Sequence, residues 1–353
     1  MTALFVHDSG PATTVQDLGR PGARRMGVPL SGTLAPDWLR IANALVGAHA
    51  DAAALEIRLA GPRFEVEGDG LRAAVGGPAE MRVDGPDRAL TVPPWTAIAL
   101  RPGETVTVGP VRGAPFALLA VSGGIDTPEV LGSRSTYARA RIGGLEGRAL
   151  RAGDRVPAGP SAPALPLALP RAPEDSGAPI RVVLGPQDDH FTAEALEEFL
   201  GSGFEATTEA DRMGMRLTGP ALAHRAPDCA QIVSDGICPG AVQVPGNGAP
   251  IVLLADGQTI GGYPKIATVI GADLPRLARC APGAGVRFAA VTIAEAEAAL
   301  RDHAAAIDDI VRSARPAPAE GLDLSRLYAA NLVDGVVDVA RPDHFPGHLF
   351  GSG

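Results

Sequence analysis

The chain has 353 residues, 46 % of them apolar and 20 % charged, with a formal net charge of −9. That length suggests two domains or one large one, with enough apolar content for a sizeable core. The acidic balance argues against a nucleic-acid groove or a membrane-surface protein, and no run of about 18 apolar residues is present to span a bilayer.

In chain order, one helix is predicted first. Trp38, Leu39, Ile41, Ala42, Leu45 and Val46 form an apolar face, Pro36 suits the first turn and Gly47 ends it. Residues 62–67, 79–84, 95–100 and 104–109 alternate as half-buried strands do, and 115–121 (PFALLAV) suits a strand buried on both faces. Residues 157–179 contain seven prolines and read as an extended, semi-rigid linker. Beyond it, strands are expected at 180–184, 241–244, 250–255, 266–270 and 286–291. A helix over 192–200 starts at Thr192, and another starts at Thr292, where Glu295 completes a capping box, and runs to about 312. Residues 313–321 look like a second linker. The fold class is therefore mainly β with some α (α+β). It is divided into an N-terminal β-rich module (1–156), the linker (157–179), a second β-rich module (180–299) and a helical extension and tail (300–353). The apolar stretch 327–337 in that tail is open between docking on a partner, docking on the chain itself, and disorder.

Most familiar catalytic signatures are missing. There is no phosphate cradle of the G-x-x-x-x-G-K-[ST] type, no G-x-G-x-x-G after a strand, no H-E-x-x-H and no C-x-x-C. No metal site is expected. Ser122 before Gly123 and Gly124 reads as a strand-ending turn rather than a nucleophile elbow. Cys229, Cys238 and Cys280 fit a reducing compartment, and MTALFVHDSG lacks the regions of a signal peptide, so the expected location is the cytoplasm.

What remains is a set of polar, glycine-rich loops. In residues 13–22, Asp17 and Arg20 form either a structural ion pair or a fork for an anionic substrate. In 234–248, Gln243 and Asn247 offer amides that donate and accept together, suited to a urea, lactam or ureido group, although Asn247-Gly248 also reads as a hairpin turn. Residues 256–265 hold the only lysine of the chain among 31 basic residues. Lys265 follows Gly261, Gly262 and Tyr263, where an ammonium suits a carboxylate, a phosphate or a developing oxyanion, unless it is a solvated loop residue. Arg212 and Met213 in DRMGM precede a further strand, with Met213 open between core filler and ligand contact.

Several of these segments, in order, resemble the family of 5-oxoprolinase C-type subunits and biotin-dependent carboxyltransferases, also called allophanate hydrolase subunit 2-like. The resemblance is carried by TTVQDLGRPG (13–22), GVPLSG (27–32), LRIANALVG (39–47) with ALEI (54–57), GPQDDHF (185–191), DRMGMRL (211–217), SDGICPGAVQVPGNGAPI (234–251) and DGQTIGGYPKIATVIGADLPRLA (256–278). It implies a cyclophilin-like β-barrel in the second half and action with a homologous B-type subunit and a third, A-type subunit. The implied reaction is ATP-dependent conversion of 5-oxo-L-proline to L-glutamate, with this chain inactive alone and holding no tightly bound cofactor. The alternatives it implies are half of a biotin-dependent urea or amide carboxylase, and a non-catalytic protein that antagonises a kinase inhibitor. No biotin-carrier Met-Lys-Met occurs, so biotin would come from another chain. On this basis Lys265 is the expected catalytic residue. Asn247, Gln243, Gln258, Gly261, Gly262, Tyr263, Arg212, Met213, Ser234 and Asp235 are the expected substrate contacts. Three departures from the family pattern stand out: Ala35 replaces an Asp at the expected helix N-cap, Ala249 replaces a Gln, and Asp235 replaces a Glu.

Overall fold

The computed structural model describes residues 2–318. The first half carries β1 (Ala3–Asp8), β2 (Ala12–Gln16), α1 (Pro36–Val46), β3 (Ala54–Arg58), β4 (Arg63–Glu67) and β5 (Leu71–Gly76). It continues with β6 (Met81–Asp84), β7 (Ala89–Val92), β8 (Ala97–Leu100), β9 (Thr105–Val108), β10 (Phe116–Val121) and β11 (Arg155–Pro157). These strands form a six-stranded sheet, β11-β1-β4-β9-β6-β7, and a five-stranded sheet, β2-β3-β10-β5-β8. Between them lies a core that includes Leu4, Phe64, Val83, Val106, Leu55, Val75 and Leu119. Helix α1 packs on β5 and β10, so both strands are buried along their whole length and lack the in–out alternation of β4.

The second half begins with β12 (Leu167–Ala168), inside the proline-rich stretch, then β13 (Ile180–Leu184), α2 (Ala193–Gly201), β14 (Phe204–Ala210), β15 (Gly214–Thr218) and β16 (Asp235–Gly236). There follow β17 (Ala241–Gln243), β18 (Ile251–Leu253), β19 (Ile260–Gly261), β20 (Lys265–Val269), α3 (Leu274–Ala278), β21 (Gly285–Val286), β22 (Phe288–Ala290), α4 (Ile293–Ser313) and β23 (Arg315–Pro316). Eight of these strands form one sheet, β21-β14-β15-β18-β17-β20-β13-β22. Its two edge strands are separated in the chain only by Arg287, so the edges meet on one segment and the sheet curls into a nearly closed barrel. The same feature splits the strand expected at 286–291, because one stretch of chain serves both edges.

The two halves share apolar packing. Trp38 and Ile41 of α1 belong to the same buried cluster as Phe199, Val252 and Ile266 of the barrel half and Ile307 of α4. Trp38 meets Trp95 edge-on with centroids 5.7 Å apart, and the Arg279 guanidinium lies 4.8 Å over the Trp38 ring. The proline-rich segment is a pinned strap. β12 pairs with β23, Arg72 donates to the Ala162 carbonyl at 2.9 Å, and Arg279 donates to Asp175 at 2.8 Å. Helix α1 starts without a side-chain cap at Ala35. The nearby amides are served from elsewhere: Leu34 N–H donates to Glu56 at 2.9 Å and Ala35 N–H to Thr33 at 3.2 Å.

Helix α4 does carry the expected Thr292/Glu295 capping box. Among the described residues no helix is long and apolar enough to cross a membrane. The tail beyond 318, including 327–337, lies outside the described residues.

Candidate active site

Lys265 opens β20 and is buried, with its side chain only 4 % exposed. Its Nζ donates to Asp235 Oδ2 at 2.8 Å and to the Gly236 carbonyl at 3.4 Å. Asp235 and Gly236 form β16, which pairs with β19 in a small ribbon, Asp235 opposite Gly261. The hydrogen bond from Lys265, then the Gly236 amide, hold the Asp235 carboxyl below its ordinary value. Gly261 is required by close approach: a Cβ there would fall 2.4 Å from Ile237 Cδ1 and 2.9 Å from Gln243 Nε2. Gly262 accepts from Ile232 N–H at 2.9 Å through its carbonyl, and Ser234 is exposed beside it.

Gln187, from the GPQDDHF segment, clamps the lysine backbone. Its Oε1 accepts from Lys265 N–H at 3.1 Å, and its own N–H donates to the Lys265 carbonyl at 3.1 Å. Arg24 reaches over from the first half to the carbonyls of Ile237 and Gln258. Neither residue stands out in the sequence. Gln187 lies inside a recognisable motif with no chemistry of its own to mark it, and Arg24 acts across more than 200 positions.

Gln243 sits on β17 opposite Lys265. It is buried, its Nε2 donates to the Tyr263 carbonyl at 3.4 Å, and its Oε1 accepts from Gln258 Nε2 at 3.3 Å. Gln243, Gln258, Tyr263 and Met213 line an open cleft of about 560 Å³ at the barrel surface. The expected residues thus fall into two adjoining groups. Lys265, Asp235, Ser234, Gly261 and Gly262 belong to the ribbon, and the amide pair with Tyr263 and Met213 belongs to the cleft.

Three of the expected groups lie outside the cleft lining. Arg212 is turned to the seam between the two halves. Its guanidinium bonds Glu56 of β3, Asp256 (Nε to Oδ2, 2.8 Å) and the Gly32 carbonyl (2.6 Å), joining the two halves. Burial lowers its pKa, but the Glu56 and Asp256 carboxylates outweigh this and hold it above the ordinary arginine value. Asn247 is exposed on the β17–β18 hairpin, where its Oδ1 accepts from Ala249 N–H at 3.2 Å and Gly248 N–H closes the turn to Pro245 at 2.9 Å. Asn247→Ala is expected to cost about 0.5–1.5 kcal/mol of stability, checked by chemical denaturation of the chain. Finally, residues 13–16 of the first polar loop belong to β2, and Asp17 and Arg20 each bind the 130–135 loop. Asp17 accepts from Ser133 Oγ at 2.7 Å and Arg134 N–H at 2.6 Å, while Arg20, fully buried, donates to the Ser135 carbonyl at 2.5 Å.

Among the described residues no cluster of three His, Cys, Asp or Glu side chains has the arrangement to hold a metal ion. The site offers instead a buried ammonium, a carboxylate and a pair of amides, a set suited to binding a polar, amide-like group and stabilising negative charge on it.

A two-sheet module packed against a nearly closed barrel, with this site on the barrel, defines the class. The model for "Carboxyltransferase domain, subdomain A and B" matches residues 26–290, and the chain belongs to that family. It is 41 % identical over 301 residues to the 5-oxoprolinase C subunit of Escherichia coli, covering 85 % of this chain and 94 % of that protein. The 5-oxoprolinase C subunit of Haemophilus influenzae is 34 % identical over 309 residues, covering 88 % and 98 %. The crystal structure of the Kluyveromyces lactis urea amidolyase superposes with a TM-score of 0.80 at 29 % identity over 87 % of this chain, which spans only 20 % of that much longer protein.

Proposed function

We propose that this chain is the C-type subunit of a 5-oxoprolinase. With a B-type and an A-type subunit, it opens the lactam of 5-oxo-L-proline to L-glutamate using ATP. The observation that carries this reading is the 41 % identity sustained over 94 % of the Escherichia coli protein.

The site chemistry supports the reading. A lactam presents a C=O beside an N–H, and Gln243 and Gln258 bring an acceptor and donors to one cleft. Opening the ring passes negative charge onto the lactam oxygen. Lys265, on the strand that pairs with the one carrying Gln243, supplies positive charge from the adjoining ribbon: two of its three donors are engaged, and the third has no partner among the described residues. ATP is held by a partner protein of the complex and drives the reaction, while this chain binds, orients and stabilises.

Carboxyl transfer to urea or a related amide, from biotin on another chain, is the second reading, favoured by the TM-score of 0.80 to urea amidolyase. Glutamate release from 5-oxoproline, measured with the three proteins co-purified, separates the two. ATP-dependent glutamate is expected from the complex and none from this chain alone. An intact complex that releases no glutamate but carboxylates urea would overturn the first reading.

A further inference from the structure

The cleft that carries the amide pair is also lined by charged groups, and all but one are committed. Arg216 Nε pairs with Glu209 Oε2 at 2.9 Å. Asp211 Oδ1 accepts from the backbone N–H groups of Met213 at 2.7 Å and Gly214 at 3.2 Å. The exception is Arg139. It comes from the loop after β10 in the first half, lines the cleft wall and is exposed to it, and its guanidinium makes no hydrogen bond or ion pair among the described residues.

We propose that Arg139 is a specificity-determining residue that receives the substrate's carboxylate. The ligand class it defines is a carboxylated cyclic amide whose C=O and N–H meet Gln243 and Gln258 while its carboxylate meets the Arg139 fork. The inference rests on the proposed 5-oxoprolinase reading and names the group that separates 5-oxoproline from a neutral amide such as urea. Three physical points support it. A guanidinium binds a carboxylate through two parallel N–H···O bonds, which fixes orientation as well as adding affinity. The cleft's own carboxylates are already engaged, by Arg216 and by backbone amides, so none of them competes for Arg139. The cation and the amides also come from different halves of the chain, so the ligand is held at both ends.

The test uses the co-purified complex with Arg139→Ala and Arg139→Lys, comparing 5-oxoproline with its neutral analogue 5-oxoprolinamide. Arg139→Ala is expected to raise KM for 5-oxoproline by about ten- to a hundredfold, with kcat changed far less, and Arg139→Lys to restore part of the loss. Binding of 5-oxoprolinamide, read by competition, should stay nearly constant. Equal loss for both ligands, no loss for either, or failure of Arg139→Ala to assemble with its partners would overturn the proposal. If the wild-type complex releases no glutamate, the functional reading fails separately, and calorimetry then decides this one. Tighter binding of 5-oxoproline to wild type than to Arg139→Ala supports it, and equal binding overturns it.

Discussion

Lys265→Met in the assembled complex is expected to lower kcat for glutamate release by about two to three orders of magnitude, the loss typical of removing one donor that stabilises a developing oxyanion. The substitution suits the question because Met keeps the length of the stem in a slot only 4 % exposed. It strands no buried charge either, since Asp235 is 54 % exposed and water can take over its solvation. Stability should therefore change little while activity collapses. Lys265→Arg is not expected to rescue, because a planar guanidinium does not fit the slot of a compact ammonium. The pH profile adds a signed check. The Asp235 carboxyl is held below its ordinary value by Lys265 and the Gly236 amide, so the pair is intact above the ordinary carboxylate range and is lost only as pH falls through that lowered value. A Lys265→Met complex with wild-type kcat would remove the lysine from the mechanism.

The second large effect is on stability. Arg212→Ala is expected to destabilise the chain by about 3–5 kcal/mol, because removing one partner of a buried ionic cluster leaves the others uncompensated. Glu56 and Asp256 would then be stranded, their side chains 1 % and 10 % exposed. Urea denaturation followed by tryptophan fluorescence reads this as a lower midpoint, with Trp38 and Trp95 reporting on the core the two halves share. Converting Glu56 to Gln in the Arg212→Ala background should recover part of the loss. Additive destabilisation by the two substitutions would show that the cluster does not act as a unit.

Activity should suffer as well, through positioning. Asp256 stands two residues before Gln258, so the cluster anchors the turn that aims one of the two cleft amides. Its contacts run from β3 and the Gly32 turn in the first half to the DRMGM and DGQ segments in the second.

Much of this architecture is legible in the chain, and the exceptions have more than one cause: β1 and β2 alternate in burial yet are too polar at their ends to stand out. Strands β4, β6 and β9 have one face covered and one wetter, so their patterns alternate and are readable. β3 and β5 are buried on both faces, and β14 (FEATTEA) is rich in charge and alanine. None of the three shows a strand period, and sequence reasoning misses all of them. The site is readable where chemistry is local. Lys265 stands out as the single lysine and is buried against Asp235, and Gln243 and Gln258 do meet in one cleft. The sequence is silent where partners lie far apart: nothing near Arg212 shows that Glu56, 156 positions away, bonds its guanidinium. The left-handed φ of +75° at Gly248 belongs to the turn reading of Asn247, the alternative that its neighbours leave open.

The packing around α1 also sets a schedule for synthesis. Asp37 and Trp38 emerge early from the ribosome, yet Arg279, which pairs with one and stacks on the other, and Ile307, which joins the same cluster, come some 240 residues and more later. At a translation rate of about 5–20 residues per second, that face of the nascent chain stays uncovered for roughly 10 s or longer. Contacts of such long sequence separation also fold slowly. A holdase that covers that face would shorten the exposure, so the yield of soluble protein should rise when one is co-expressed.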